Sequence, residues 1–219
     1  MTALSNSVKT TDGAAKLLIP ATANINMQNA LTFVIKTLLE LYIITFVLRF
    51  ILQWVRADFS NPITQFIVRL TNPLVIPARR LIPSIGGLDA ATIVIVVVLE
   101  LAVTIVLVNL TCLSEPYFIQ IIGLTLLRIV YMALRIYLFI LFVYVLMSWI
   151  GPGTVNPATT LLTSIAEPVL KPFRRIIPPI AGLDLSVLFA LITIQALTML
   201  LPIGRIAAGM GCLSITQLL

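Results

Sequence analysis

The sequence predicts an all-α membrane protein whose four transmembrane helices form two parallel two-span repeats, each with a short interfacial amphipathic helix in its cytoplasmic connection. Three observations carry this. Of 219 residues, 60% are apolar and 10% charged, with a mean hydropathy of +1.12. A soluble domain has about 25% charged residues, so this chain cannot cover a water-facing surface. The apolar residues fall into four runs, each near the roughly 20 residues that one span requires. Finally, the sequence superposes on itself when shifted by 95 positions.

Residues 1–29 are polar and rich in small residues, without the basic, apolar, cleavage-site order of a signal peptide, and read as a flexible N-terminal tail. The first run, about Ala30–Val55, carries Lys36, Glu40 and Arg49. The second, about Ala90–Leu113, is interrupted by Glu100, and together they form a first repeat over 30–112. Residues 113–124 read as an extracytoplasmic connection. The third run, about Tyr117–Ile150, contains Arg128 and Arg135 and exceeds one span, so its first third is expected at the interface or as an extra turn of helix. The fourth, about Leu185–Leu201, ends at Pro202 and Gly204 and closes a second repeat over 125–202, leaving 203–219 as a C-terminal tail.

The repeat is clearest in the connections. From Trp54 to Asp89, 14 of 36 positions match those 95 residues later, including Trp54 with Trp149, Asn61-Pro62 with Asn156-Pro157, Pro73 with Pro168, Pro77 with Pro172, Arg79-Arg80 with Arg174-Arg175, and Gly87-Leu88-Asp89 with Gly182-Leu183-Asp184. Two spans per unit is an even number, so both units enter the membrane from the same side. Asn61 and Asn156 are suited to cap helices that begin at a proline. Ile63, Phe66, Ile67 and Leu70 then fall at helical spacing, as do Ala158, Leu161, Leu162 and Ile165, predicting short helices lying in the interface. Pro73 and Pro168 are expected to stop them, and the prolines six apart in Pro77–Pro83 and Pro172–Pro178 to hold each arginine pair in a non-helical elbow. Asp89 and Asp184 are expected to N-cap the following spans.

Lysine and arginine exceed acidic residues by 14 to 8. Arg79, Arg80, Lys171, Arg174 and Arg175 cluster in the two connections, whereas the middle connection has Glu115 and no basic residue. The positive-inside rule therefore places both elbows in the cytoplasm and both termini in the periplasm. The clusters are short and lack interleaved aromatics, arguing against nucleic acid. They read as anchors on lipid phosphates or as a docking surface for a protein partner. Histidine is absent, which removes histidine-based acid–base catalysis, histidine-ligated haem and most zinc sites. No nucleophile–base pair, phosphate loop or metal constellation is present either, so no catalytic residue, metal or cofactor is expected. Cys112 and Cys212 are too distant in sequence for a metal motif and read as small apolar residues at span ends, or as a disulfide if both ends face an oxidising compartment.

Charges within spans cost about 2.5–3.5 kcal/mol each on insertion scales and call for partners. Glu40 falls on Arg135 in the 95-residue shift, so the two can meet across the repeats; alternatively Glu40 pairs with Lys36 and Arg135 snorkels outward. Glu100 falls on Gln195. With Glu40 they read as hydrogen-bonded glue between helices, as part of a cation path, or as contacts to a partner subunit.

Glu40-Leu-Tyr, Arg49, Gln53-Trp54, the Asn-Pro starts and the Pro-x-Arg-Arg-x-Ile-Pro-x-x-x-Gly-Leu-Asp runs together resemble the YggT (YlmG-related) family of small bacterial and plastid membrane proteins, over about residues 28–202. One departure is Ser186-Val187, where that family often has Ser-Pro. The resemblance implies a bacterial inner-membrane protein connected with osmotic tolerance and ion homeostasis, cell-division gene neighbourhoods or, in plastids, haem attachment or nucleoid organisation. It implies no reaction. With no histidine and no paired cysteine motif, direct haem ligation gains little. The expected function is a non-catalytic scaffold or assembly factor that contacts lipid or protein partners, with homo-oligomerisation open. The alternative is a channel or transporter component in osmotic or potassium homeostasis, for which four spans leave little room without oligomerisation.

Overall fold

The computed structural model describes residues 30–31, 33–83, 89–112, 117–150, 156–176 and 184–210, and its regular elements are helices. Two compact units are distinguished, Met1–Leu41 and Tyr42–Leu219. In the first, the described residues are helical, with Leu31, Phe33, Val34, Leu38 and Leu39 exposed and Lys36 Nζ 3.6 Å from Glu40 Oε1. A surface so apolar suits hydrocarbon, not water.

The helix that includes these residues, α1, covers 33–54. In the second unit its Ile43, Phe46, Val47, Ile51 and Leu52 recur at helical spacing and are buried. α1 ends in a Schellman motif. The Ala57 amide donates to the Leu52 carbonyl (2.9 Å) and the Arg56 amide to the Gln53 carbonyl (3.1 Å). Arg56 holds the left-handed position at φ 52°, where glycine is the usual choice.

The remaining helices are α2 (Pro62–Leu81), α3 (Ala90–Thr111), α4 (Phe118–Ile150), α5 (Pro157–Ile176), α6 (Leu185–Leu200) and α7 (Ile203–Gly209). Among the described residues, three stretches are long and apolar enough to cross a membrane: Ala90–Asn109, Phe118–Met147 and Leu185–Gly209. α4 is the hub, packing on α3, α5, α6 and α7, while α2 packs on α3 and α5. Its 33 residues form one continuous helix, which at 1.5 Å per residue reaches about 50 Å, beyond the roughly 30 Å hydrocarbon layer. The expected C-terminal tail is in part helical: α7 buries Ile203 and Ala207, and Met210 is buried just beyond it. The tail at 1–29, the loop at 113–116, the glycines and Pro178 of the elbows (84–88 and 177–183) and the end of the chain from 211 lie outside the described residues.

The connections correct the sequence expectation. Pro73 and Pro168 do not stop the helices; α2 and α5 each run 20 residues through two internal prolines and carry their arginine pairs in the last turn. A proline removes one donor and frees the carbonyl four residues earlier. Pro73 and Pro77 lie on the exposed stripe, as do Pro168 and Pro172, and the freed carbonyls of α2 belong to Arg69 and Pro73, both exposed. The missing bonds therefore fall where solvent or lipid headgroups can satisfy them. The opposite stripe holds the helix down: Thr64, Ile67, Thr71 and Val75 in α2, and Leu161, Ile165, Ala166 and Leu170 in α5, are buried. Of the stripe expected to lie in the interface, Ile63, Phe66 and Leu70 are exposed and Ile67 is buried.

Candidate functional site

The caps set the geometry of the elbows. Asn61 Oδ1 accepts the Ile63 amide (2.9 Å) and Asn156 Oδ1 accepts the Thr159 amide (2.8 Å). The Asn61 side-chain amide also donates to the Pro157 carbonyl at the start of α5 (2.7 Å). Asp184 caps α6 through the Ser186 amide (3.2 Å) and also accepts from the Ser186 hydroxyl. Asp89 sits at the cap position of α3 but its side chain makes no cap hydrogen bond. Arg79 has captured it.

In the first elbow Arg79 Nη2 and Nε donate to Asp89 Oδ2 (2.6 and 3.1 Å), and Thr92 Oγ1 donates to the same oxygen (2.8 Å). Behind them lies Arg49 of α1, only 3% exposed, with Nη2 3.8 Å from Asp89 Oδ2 and Nη1 donating to Thr71 Oγ1 (2.6 Å) and Asn72 Oδ1 (2.9 Å). The second elbow repeats the clamp with different neighbours. Arg174 pairs with Asp184 (2.7 Å), and also donates to Glu167 Oε2 (2.7 Å) and the Tyr144 hydroxyl (3.1 Å). Tyr144 and Glu167 stand 95 residues after Arg49 and Asn72. The first clamp therefore holds two guanidiniums against one carboxylate, and the second one guanidinium against two carboxylates.

The arginine pairs thus divide into two kinds. Arg79 and Arg174 each brace an aspartate, Arg79 with its side chain still 48% exposed, while Arg80, Lys171 and Arg175 are exposed on the last turns of α2 and α5. Beside the first clamp opens a cavity of about 760 Å³, lined by Gln53, Arg56, Ala57, Phe59, Arg79, Pro83 and Asp89.

Burial raises the Asp89 and Asp184 carboxyls, and hydrogen bonds with the adjacent guanidinium charge outweigh it, so both are held below the ordinary carboxylate range. A depressed folded pKa stabilises the fold above the unfolded value near 3.9, and that contribution is lost as pH falls through the lower folded value. The melting temperature of the detergent-solubilised protein is therefore expected to fall steeply below about pH 4. Asp89→Asn should flatten that slope, measured by intrinsic fluorescence.

Glu100 is wholly buried, with Oε1 2.5 Å from Arg128 Nε, and Oε2 is buried without a partner. Gln195 is exposed on α6. Glu40 meets Lys36, and the Arg135 guanidinium lies 5.4 Å over the Tyr131 ring. Sequence reasoning left Arg128 without a partner, although residues at similar distances from a short turn face each other. Glu100 lies about eleven residues before the end of α3 and Arg128 about ten after the start of α4. Cys112, at the end of α3, is disulfide-bonded, and the sequence has one other cysteine, Cys212, which lies outside the described residues.

The family model described as CCB3/YggT matches the chain twice, over residues 28–110 and 123–204. An uncharacterized protein of Pseudomonas aeruginosa is 40% identical over 188 residues, covering 85% of this chain and 95% of that protein. The uncharacterized protein YggT of Escherichia coli K12 is 34% identical over 173 residues, covering 78% and 89%. YlmG homolog protein 2, chloroplastic, of Arabidopsis thaliana is 41% identical over 68 residues, covering 30% and 26%. No solved structure matches.

Proposed function

The chain belongs to the CCB3/YggT family, and from that premise we propose that it is a non-catalytic scaffold or assembly factor of the bacterial inner membrane, which meets protein partners and anionic lipid through two arginine-bearing elbows on the cytoplasmic face. In this reading α1 is a fourth span and both termini are periplasmic. The observation that carries it is the division of labour within each arginine pair. One arginine braces the fold against an aspartate, and Arg80, Lys171 and Arg175 remain exposed on paired helix ends. Clustered guanidiniums on an otherwise apolar molecule suit phosphate or carboxylate recognition. The disulfide at Cys112 supports the orientation independently of charge, since disulfides persist in oxidising compartments such as the periplasm and Cys112 terminates the span that begins at the first elbow.

A photo-crosslinking residue at position 80 or 175, used in native membranes, tests the proposal. A shared protein adduct from both positions, lost when the neighbouring basic residues are reversed to glutamate, is the expected outcome. Self-adducts alone, accompanied by potassium flux in proteoliposomes, would overturn it in favour of the channel alternative. That alternative relied on Glu100, whose carboxylate is taken up by Arg128, and a fixed guanidinium there opposes cation passage.

A further inference from the structure

We propose that the cavity beside the first elbow is a binding site for the phosphate headgroup of an anionic glycerophospholipid, with Arg56 and Arg79 as its phosphate ligands; at the position aligned with Arg56 the second copy has Gly151, which carries no such ligand. The inference rests on reading the elbows as interfacial and adds a specific ligand site to one of them.

The first argument is the backbone of Arg56. It occupies the left-handed position of a Schellman motif, at φ 52°. A side chain there is strained, and glycine is the residue that relieves the strain. The residue 95 positions later is Gly151. Arginine at this position of the first copy calls for a use of its side chain, which is exposed and lines the cavity. The second argument is charge. Arg49 and Arg79 both face one carboxylate, Asp89, and Arg56 lines the same cavity. In the second copy Arg174 faces two carboxylates, Glu167 and Asp184. The third is buried polarity. Asp89 is 97% buried, and the Gln53 side chain hydrogen-bonds with its carboxylate at the cavity wall. A glycerol headgroup supplies hydroxyl donors to that carboxylate while its phosphate meets the guanidiniums, whereas inorganic phosphate at neutral pH is a poorer donor. Finally, Trp54 of the same turn lines an apolar cavity of about 790 Å³ together with Phe50, Val97 and Pro172, providing a place for hydrocarbon near the headgroup.

Native mass spectrometry of the full chain in detergent, titrated with phosphatidylglycerol, phosphatidylcholine or inorganic phosphate, tests this. The wild type should prefer phosphatidylglycerol over phosphatidylcholine by about tenfold or more, as expected of a charge-assisted contact. Arg56→Gly should lose that preference while its melting temperature stays level or rises, because the left-handed strain is relieved. Arg69→Gln, which removes an exposed charge elsewhere on α2, should keep the preference. Equal preference in Arg56→Gly and wild type overturns the proposal, as does Arg56-dependent binding of inorganic phosphate without any lipid preference. The crosslinks from positions 80 and 175 do not depend on Arg56, so failure of the partner reading is seen separately.

Discussion

Glu100→Ala is expected to destabilise the protein by about 3–5 kcal/mol, the cost of leaving a buried charge without its partner. Glu100 and Arg128 are 0% and 4% exposed, so both charges of the pair are out of contact with solvent. Arg128→Ala should cost a similar amount, because the carboxylate is then the stranded group. The double change Glu100→Leu with Arg128→Met should recover most of the loss, since replacing a buried ion pair by packed apolar residues is often neutral or stabilising. Melting temperature in detergent and yield in membranes check this. Equal losses in the double and single variants would show that the pair is not the source of the cost.

The second large effect is expected at Asp89. Removing its carboxylate strands Arg49, which is 3% exposed in α1, together with Arg79. Asp89→Ala should therefore cost about 3–5 kcal/mol, as for a broken buried pair. Asp184→Ala should cost less. Asp184 is 26% exposed, and Arg174 keeps Glu167 and Tyr144 as partners. The same substitution in two aligned positions thus yields different losses, and a chemical-denaturant or thermal comparison of the two variants measures the difference. Arg79→Lys is not expected to behave as wild type, because the forked Nε and Nη2 contact to one oxygen requires a guanidinium.

The features legible in the sequence are those written locally. The apolar runs announce the long helices, and the Asn-Pro starts announce the caps of α2 and α5, since both depend on residues within one or two turns. The aspartates at the starts of α3 and α6 are placed correctly by the same logic. Their partners are not, because Arg79 and Arg174 stand ten residues back across a turn that no periodicity describes. The prolines mislead for a related reason. Whether a proline ends a helix depends on which side its freed carbonyl faces, and that is decided by packing of the opposite stripe, here Thr64, Ile67, Thr71 and Val75. Among the candidate site residues, Arg80 and Arg175 could be singled out only together with Arg79 and Arg174, since adjacent identical residues become distinguishable only once the last helical turn sets their directions. Arg56 was visible in principle: glycine, the usual residue of a left-handed position, stands at the aligned position 151, and the copy without it is the one to question.

The bond from the Asn61 side chain to the Pro157 carbonyl has a consequence of its own. One amide group both seats its own helix and grips the first turn of α5, so a displacement of α2 is expected to be felt at the start of α5. Two identical polypeptides meeting about a twofold axis would have to make such a joint reciprocally. Joined in tandem, the halves are released from that obligation, and a gene duplication has become a lever with distinguishable ends.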